Sequence, residues 1–199
     1  MNEKYELTEE FKEIETLREG WLQKIKVYRI RALRAFADVK IGDLGGFVET
    51  KQNLSNMGNA WVYGNAEVCG DAWVRDNAEV YGNARVCDNA KVYGNAEVCG
   101  DAKVCDNANI FWCSSIGSRH ATTTMFRNKD SGITVTCGCF MGTLEEFAAI
   151  VEKEHGENIF GKEYKLLIEL AKIHFARRDK RRRGKWHIES RLSTLTQTK

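Results

Sequence analysis

An uninterrupted six-residue repeat at the centre of the chain constrains the fold more than any other feature. Residues 58–111 read as nine consecutive hexads: GNAWVY, GNAEVC, GDAWVR, DNAEVY, GNARVC, DNAKVY, GNAEVC, GDAKVC and DNANIF. The third position is always Ala, and the fifth is Val in eight hexads and Ile110 in the ninth. The first two positions are only Gly, Asp or Asn, which favour turns. Each hexad therefore predicts a short strand followed by a two-residue corner.

Such units predict a solenoid. Six residues advance an α-helix by about 600°, which would scatter the Val positions around its surface. A hairpin meander would need longer apolar strands. Short strands with corners instead stack, so that each turn of the chain pairs with the turn above it. Alternation within a strand places Ala and Val inside and their neighbours outside.

The hexad series resembles the hexapeptide-repeat proteins, whose fold is a left-handed parallel β-helix. The resemblance implies a triangular solenoid with three hexads, about eighteen residues, per coil. Under that geometry the three inner walls are lined by Val62, Val80, Val98 and Ile116, by Val68, Val86 and Val104, and by Val74, Val92 and Ile110. Aromatic side chains, among them Trp61, Tyr63 and Trp73, then lie on the outer walls.

Three cysteines, Cys69, Cys87 and Cys105, form a ladder on the outside of the second wall under this geometry. Adjacent coils lie about 4.8 Å apart, a spacing that permits a disulfide. Three thiols can also bind a soft metal, but the hexads contain no His. We favour a third interpretation, in which these small side chains pack against another subunit, and we predict no metal site.

The flanking segments predict caps for both ends. Residues 8–18 are predicted to form an amphipathic helix, residues 24–33 a strand and residues 42–49 an irregular first coil. Residues 122–127 and 133–136 predict a hairpin with a five-residue loop. A capping box from Thr143 to Glu146 opens a helix through about residue 154, and a second helix is predicted over residues 162–177.

The predicted organisation is therefore mainly β. It comprises an N-terminal helix and strand cap (1–40), the left-handed β-helix (41–117), a C-terminal hairpin with two helices (118–178) and a basic tail (179–199). The run of Lys and Arg over residues 177–185 is typical of a solvated chain end; nucleic-acid binding by this run is the alternative.

Composition narrows the functional classes. The formal net charge of +2 is too small for binding nucleic acid by the field of the whole protein, and the longest strictly apolar run, residues 147–151, is far short of the ~18 residues of a membrane span. Seven Glu among the first twenty residues argue against a secretory signal. The odd count of seven Cys favours reduced thiols in a cytosol.

The flanks extend the resemblance. Residues 39–46 (VKIGDLGG), the hexads, residues 116–119 (IGSR) and residues 137–140 (CGCF) are together similar to a group of phage and prophage hexapeptide-repeat proteins loosely labelled transferase-like. The resemblance implies a bacterial host cytoplasm and a homotrimer, and it implies no particular reaction. The outer aromatic side chains also favour an association with a partner.

An enzyme is not the favoured interpretation. Acyltransferases with this type of repeat use a His near the coils as general base, whereas here only His120, beside Arg119, is placed for that role. We predict no catalytic residues and no cofactor, with an acyltransferase as the third-ranked function. Cys137 and Cys139 are interpreted as packing residues.

A ligand site is predicted where the repeat gives way to irregular backbone. Regular turns satisfy their own N–H groups, so spare donors for an anion are expected at such an end. Flexible backbone, hydroxyl groups, a guanidinium and a flat indole suit a phosphorylated, ring-bearing ligand. The predicted ligand-binding residues are Trp112, Ser118, Arg119, His120, Thr122, Thr123, Thr124 and Arg127. The alternative for Arg119 is that it merely caps the last coil.

The favoured function is a non-catalytic phage-type protein. It would sequester a small, nucleotide-like signal in an oligomeric pocket and so counteract host defence. A structural assembly trimer without a small ligand is the first alternative.

Overall fold

Short strands dominate the structure, a computed structural model that describes residues 3–18 and 21–176. Its elements in chain order are β1 (Tyr5–Arg18), β2 (Trp21–Ala32), β3 (Leu44–Val48), β4 (Trp61–Val62), β5 (Glu67–Val68), β6 (Trp73–Val74), β7 (Glu79–Val80), β8 (Arg85–Val86), β9 (Lys91–Val92), β10 (Glu97–Val98), β11 (Lys103–Val104), β12 (Ile110–Ile116), β13 (Ala121–Arg127), β14 (Ile133–Cys137), β15 (Phe140–Thr143), α1 (Leu144–His155) and α2 over residues 159–176. The protein is mainly β, with a solenoid of about three stacked turns and two C-terminal helices, as the sequence predicts. The predicted basic tail lies outside the described residues.

The hexads pair in parallel with one another. Val80 pairs with Val62 on one side and with Val98 on the other, in the three-stranded sheet β4–β7–β10. β5, β8 and β11 pair in the same way, as do β6 and β9. The Val side chains of all eight hexad strands are fully buried, so they form the core that the alternation predicts.

The corners need glycine where turns approach closely. At Gly58, whose φ is +69°, an added Cβ would lie 2.4 Å from the carbonyl oxygen of Asp76 in the next turn. A side chain there would have to push the two turns apart, which explains Gly at this corner.

The prediction of a helix over residues 8–18 is wrong. These residues belong to β1, which pairs with β2 in a long antiparallel hairpin, with Ile14 opposite Ile25. Ile14 and Thr16 are buried while Glu13 and Glu15, which alternate with them, are exposed, which is the two-residue period of a strand. Pairing with β2 therefore overrides the helical interpretation of Phe11, Ile14 and Leu17.

The same hairpin covers the Cys ladder. β2 pairs with β3, which begins the sheet β3–β5–β8–β11, and Ile14 and Val27 pack with Cys69 and Cys87 in a small separate core. The Lys12 ammonium lies 2.8 Å from the Glu67 carboxylate on that wall. The prediction that another subunit covers these cysteines is wrong, because the chain's own hairpin does so.

Two of the ladder cysteines are joined. Cys87 and Cys105 lie on successive turns with their Cα atoms 4.5 Å apart, and they form a disulfide. The preference for packing over a disulfide is therefore wrong for this pair, while Cys69 is a free buried thiol.

The N-terminal segment closes the first turn of the solenoid. Trp61, expected on an exposed outer wall, is 1% exposed because Phe36 and Tyr5 pack edge-on against its ring, with centroids 5.3 and 6.1 Å away. The Asn53 amide donates to the carbonyls of Gly70 and Ala72. These backbone groups at the open end are thus satisfied by side chains.

The solenoid ends earlier than predicted. β12 pairs antiparallel with β13 and not with β10, so Ile116 does not continue the first wall and the solenoid ends near residue 110. Phe126 from β13 is fully buried and packs into the solenoid core. The Glu97 N–H donates to the Thr124 hydroxyl at 3.1 Å, and the Thr136 hydroxyl donates to the Glu97 carbonyl at 3.4 Å.

The C-terminal sheet has the order β12–β13–β14–β15 and is antiparallel throughout. The predicted hairpin over β13 and β14 and the capping box of Thr143 and Glu146 are confirmed. One face of the sheet closes the solenoid. The other packs against α1 and α2 in a second core that includes Val135, Phe147 and Leu167.

Candidate functional site

A cavity of about 580 Å³ lies between the C-terminal sheet and the two helices. Its lining comes from the turn after β12, the turn between β14 and β15, α1 and α2. The apolar part is contributed by Ala121, Phe140, Phe147, Ile150 and Val151. The polar and sulfur-bearing part is contributed by Ser118, Arg119, Cys137, Cys139, Lys153, Glu154, His155 and Tyr164. This combination of an apolar floor with a few polar groups is typical of small-molecule sites.

Arg119 carries an unpaired charge at this cavity. Among residues 3–18 and 21–176, no acceptor or carboxylate lies within bonding distance of its guanidinium. The nearby Glu163 carboxylate instead accepts the Gly117 N–H at 3.1 Å. The acid among the lining residues, Glu154, lies 3.7 Å from Lys153, which also lines the cavity. Arg119 therefore remains available to an anion.

The turn that carries Arg119 is held by Tyr164. Gly117 has a φ of +70°, and a Cβ there would lie 1.9 Å from the Tyr164 hydroxyl. The chain thus passes directly over this phenol. Burial, and secondly the hydrogen bond with Cys137, raise the pKa of Tyr164 to about 12. The phenol consequently stays protonated near neutral pH and can donate a hydrogen bond.

Aromatic and sulfur groups complete the wall of the cavity. His155, the last residue of α1, stacks on Tyr164 with ring centroids 5.6 Å apart. The Thr123 hydroxyl donates to the Cys137 sulfur at 3.2 Å, and this sulfur lies 3.8 Å from the Tyr164 hydroxyl. Phe140 packs on the buried Phe147, with ring centroids 5.4 Å apart, and its ring provides flat apolar surface.

Only two of the eight predicted ligand residues line this cavity, namely Ser118 and Arg119. His120 lies in the same turn, exposed and with a φ of +47°, but outside the lining. The Thr122 hydroxyl is 2.9 Å from that of Ser114. Thr123 is fully buried and hydrogen-bonded to Cys137.

The remaining three predicted residues lie elsewhere. Thr124 is buried against the solenoid, where its hydroxyl accepts from the Glu97 backbone. Trp112 faces the same side and packs edge-on against Tyr93 at 4.6 Å. Arg127 donates to the Phe175 carbonyl at 3.1 Å and so ties the hairpin to α2. The structure therefore divides the predicted site among three places.

Sequence reasoning missed the helical half of the site. Tyr164 lies on the apolar stripe of the second predicted helix, His155 falls just past the first, and nothing in the local pattern distinguishes either from a packing residue. Cys137 and Cys139 were noted, but their tight turn was not connected to Arg119. The signal was available in part: antiparallel pairing of residues 122–127 with 133–136 brings the chain after residue 136 back beside the residue 117–121 turn.

The described residues contain one group of three potential metal ligands, Cys87, Asp88 and Cys105, whose ligand atoms lie within 4.8 Å of one another. Both sulfurs belong to the disulfide, so the group does not offer thiolates to a metal. In the described part of the chain, neither helix has the length and apolar character that crossing a membrane requires. No protein-family model matches the chain, and no curated protein is significantly similar to it in sequence.

Proposed function

We propose that this protein binds and sequesters a small phosphorylated ligand with a planar ring, without turning it over. The single observation that carries the proposal is the Arg119 guanidinium, which has no partner among the described residues, at a 580 Å³ cavity with an aromatic and aliphatic floor. A guanidinium at such a cavity suits a ligand whose anionic end meets the arginine and whose apolar part enters the cavity.

The groups around Arg119 fit this ligand class. A guanidinium binds a phosphate through two parallel hydrogen bonds, and the Ser118 hydroxyl beside it is a further donor. The partly exposed ring of Phe140 offers a stacking surface for a nucleobase. A volume of about 580 Å³ lies within the range of ~300–1,000 Å³ typical of drug-sized ligands.

The biological part of the proposal rests on the sequence resemblance alone. A phage or prophage protein that holds a nucleotide signal would counteract a host defence that depends on that signal. The same resemblance supports a left-handed, triangular coil of about eighteen residues. The pairing of Val62 with Val80 and of Val80 with Val98 is consistent with that coil.

Calorimetry with a panel of linear and cyclic nucleotides tests the binding. Arg119→Gln should weaken a bound nucleotide roughly 10- to 100-fold, because a charge-assisted contact contributes about 1.5–3 kcal/mol. Arg75→Gln is the matched control, since Arg75 is also exposed but stacks on Trp73, and neither residue lines the cavity. Equal affinities of the two variants would place the ligand elsewhere.

A second variant tests the cavity without changing its charge. Ile150 lines the cavity from the partly exposed side of α1, so Ile150→Trp should fill space there and weaken binding while the helix is retained. Mass spectrometry of what denatured protein releases separates the functional alternatives. An intact nucleotide supports sequestration, a coenzyme A species supports an acyltransferase, and no ligand in either experiment supports a structural assembly role.

A further inference from the structure

Helix α2 presents a second apolar stripe, on the side opposite to its buried face. Tyr164, Leu167, Ile168, Ala171 and Phe175 pack into the C-terminal core. Ile159, Leu166, Leu170 and Ile173 are all more than half exposed, from 51% for Leu170 to 73% for Leu166. Since 3.6 residues make one turn, these four residues fall in one line along the helix.

The size of the stripe indicates a partner. Four aliphatic side chains exposed to this degree present on the order of 400 Å² of contiguous apolar surface, which on a monomer marks an interaction site. Two such surfaces, with their polar margins, approach the roughly 1,200 Å² at which specific protein interfaces begin. A helix that is apolar on two opposite faces is typical of one that is buried on both.

The charged residues beside the stripe indicate which partner binds it. Lys162 and Glu169 are exposed and lie seven residues, or almost two turns, apart, so they share one edge of the stripe. The midpoint between them falls beside Leu166, which is also the midpoint between Ile159 and Ile173. A two-fold axis at Leu166 would therefore place Lys162 of each copy opposite Glu169 of the other copy. The same axis would place Ile159 of each copy opposite Ile173 of the other.

We infer that α2 pairs antiparallel with α2 of a second copy of this chain, about a two-fold axis at Leu166. A parallel pair, whose two-fold axis runs along the helices, would place the Lys162–Glu169 edges of the two copies on opposite sides of the interface, so these opposite charges would not meet. The ion pair of Glu169 with Lys172 of its own chain, at 2.7 Å, leaves Glu169 65% exposed and able to accept a second cation. The pairing is independent of the proposed ligand.

Light scattering of the full chain tests the inference. The wild-type protein should have twice the chain mass of 22.6 kDa, and Leu166→Glu should be a folded protein with the mass of one chain. Ile41→Glu is the matched control, because Ile41 is 71% exposed but distant from α2 in the chain, and this variant should stay a dimer. A wild-type mass of one or three chains, or a dimeric Leu166→Glu, would overturn the inference.

Exchanging the charges of Lys162 and Glu169 tests the antiparallel register. Both side chains are exposed, so these variants should fold. Lys162→Glu and Glu169→Lys should each weaken the dimer about tenfold or more, since each places like charges opposite each other twice. The double variant should recover the wild-type dissociation constant, because it restores two opposite pairs. Failure of the double variant to recover would overturn the antiparallel pairing. A monomeric wild-type chain would instead make residues 177–199 of the same chain the candidate occupant.

Discussion

The ammonium of Lys4 donates a 2.8 Å hydrogen bond to the carbonyl oxygen of Ala60, and so joins the N-terminal segment to the first turn of the solenoid. Lys4 is fully buried, and its ammonium also lies 5.0 Å from the centre of the Phe36 ring. Burial, and secondly the charge of Arg34, lowers the pKa of Lys4 from 10.5 to about 8. A buried cation thus lies where the cap meets the repeat.

This relationship predicts a pH dependence of stability. Between pH 8 and 10.5 the unfolded chain holds a proton on Lys4 that the folded chain has released. The free energy of unfolding should therefore rise with pH across this window, by roughly 1–3 kcal/mol. Urea denaturation at several pH values measures it. In Lys4→Met the rise should be absent, whereas Lys103→Met, at an exposed lysine, should retain it; an identical rise in both variants would contradict the assignment.

The burial of the Val wall predicts different costs at two neighbouring positions. Val104 is fully buried in β11, while Lys103 beside it is exposed. Val104→Asp should lower the free energy of unfolding by about 3 kcal/mol or more, because it buries an unpaired carboxylate. Lys103→Asp should change it by only about 0.5 kcal/mol. Denaturant titrations decide, and similar losses for the two variants would mean that Val104 does not face the core.

The repeat could be predicted because its information is local. Each hexad repeats the same turn residues and the same buried Val, so strand positions and the order of stacking follow from spacing alone. The N-terminal segment could not be predicted in this way. Ile14 is compatible with a helix stripe and with a strand, and only its pairing with Ile25 and its contact with the Cys69 wall decide between them.

Part of the candidate site could also be predicted, because that part too is marked by a local sequence pattern. Ser118 and Arg119 stand out because they follow the end of the repeat and carry polar groups on irregular backbone. Thr124 has similar chemistry, but its hydroxyl accepts from Glu97, a solenoid residue whose nearness depends on how the whole C-terminal sheet docks. Tyr164 joins the site through the packing of α2, which no local pattern reports.

The close contact between Gly117 and Tyr164 gives a prediction that links the fold to the site. Gly117 and Gly64 both have left-handed backbone, with φ of +70° and +57°. Substitution by alanine should cost each about 1–2 kcal/mol of stability from backbone strain. A Cβ at Gly64 meets nothing within 4 Å, whereas at Gly117 it meets the Tyr164 hydroxyl at 1.9 Å, so the phenol must move. Gly117→Ala should therefore lose about 1–2 kcal/mol more of the free energy of unfolding than Gly64→Ala in thermal or urea unfolding.

Gly117→Ala should also lower the affinity of the cavity for any ligand, since Tyr164 and Arg119 lie on its wall. Equal losses in the two variants would mean that Tyr164 does not support the turn, and the cavity would then lack the rigid wall that the proposed binding requires.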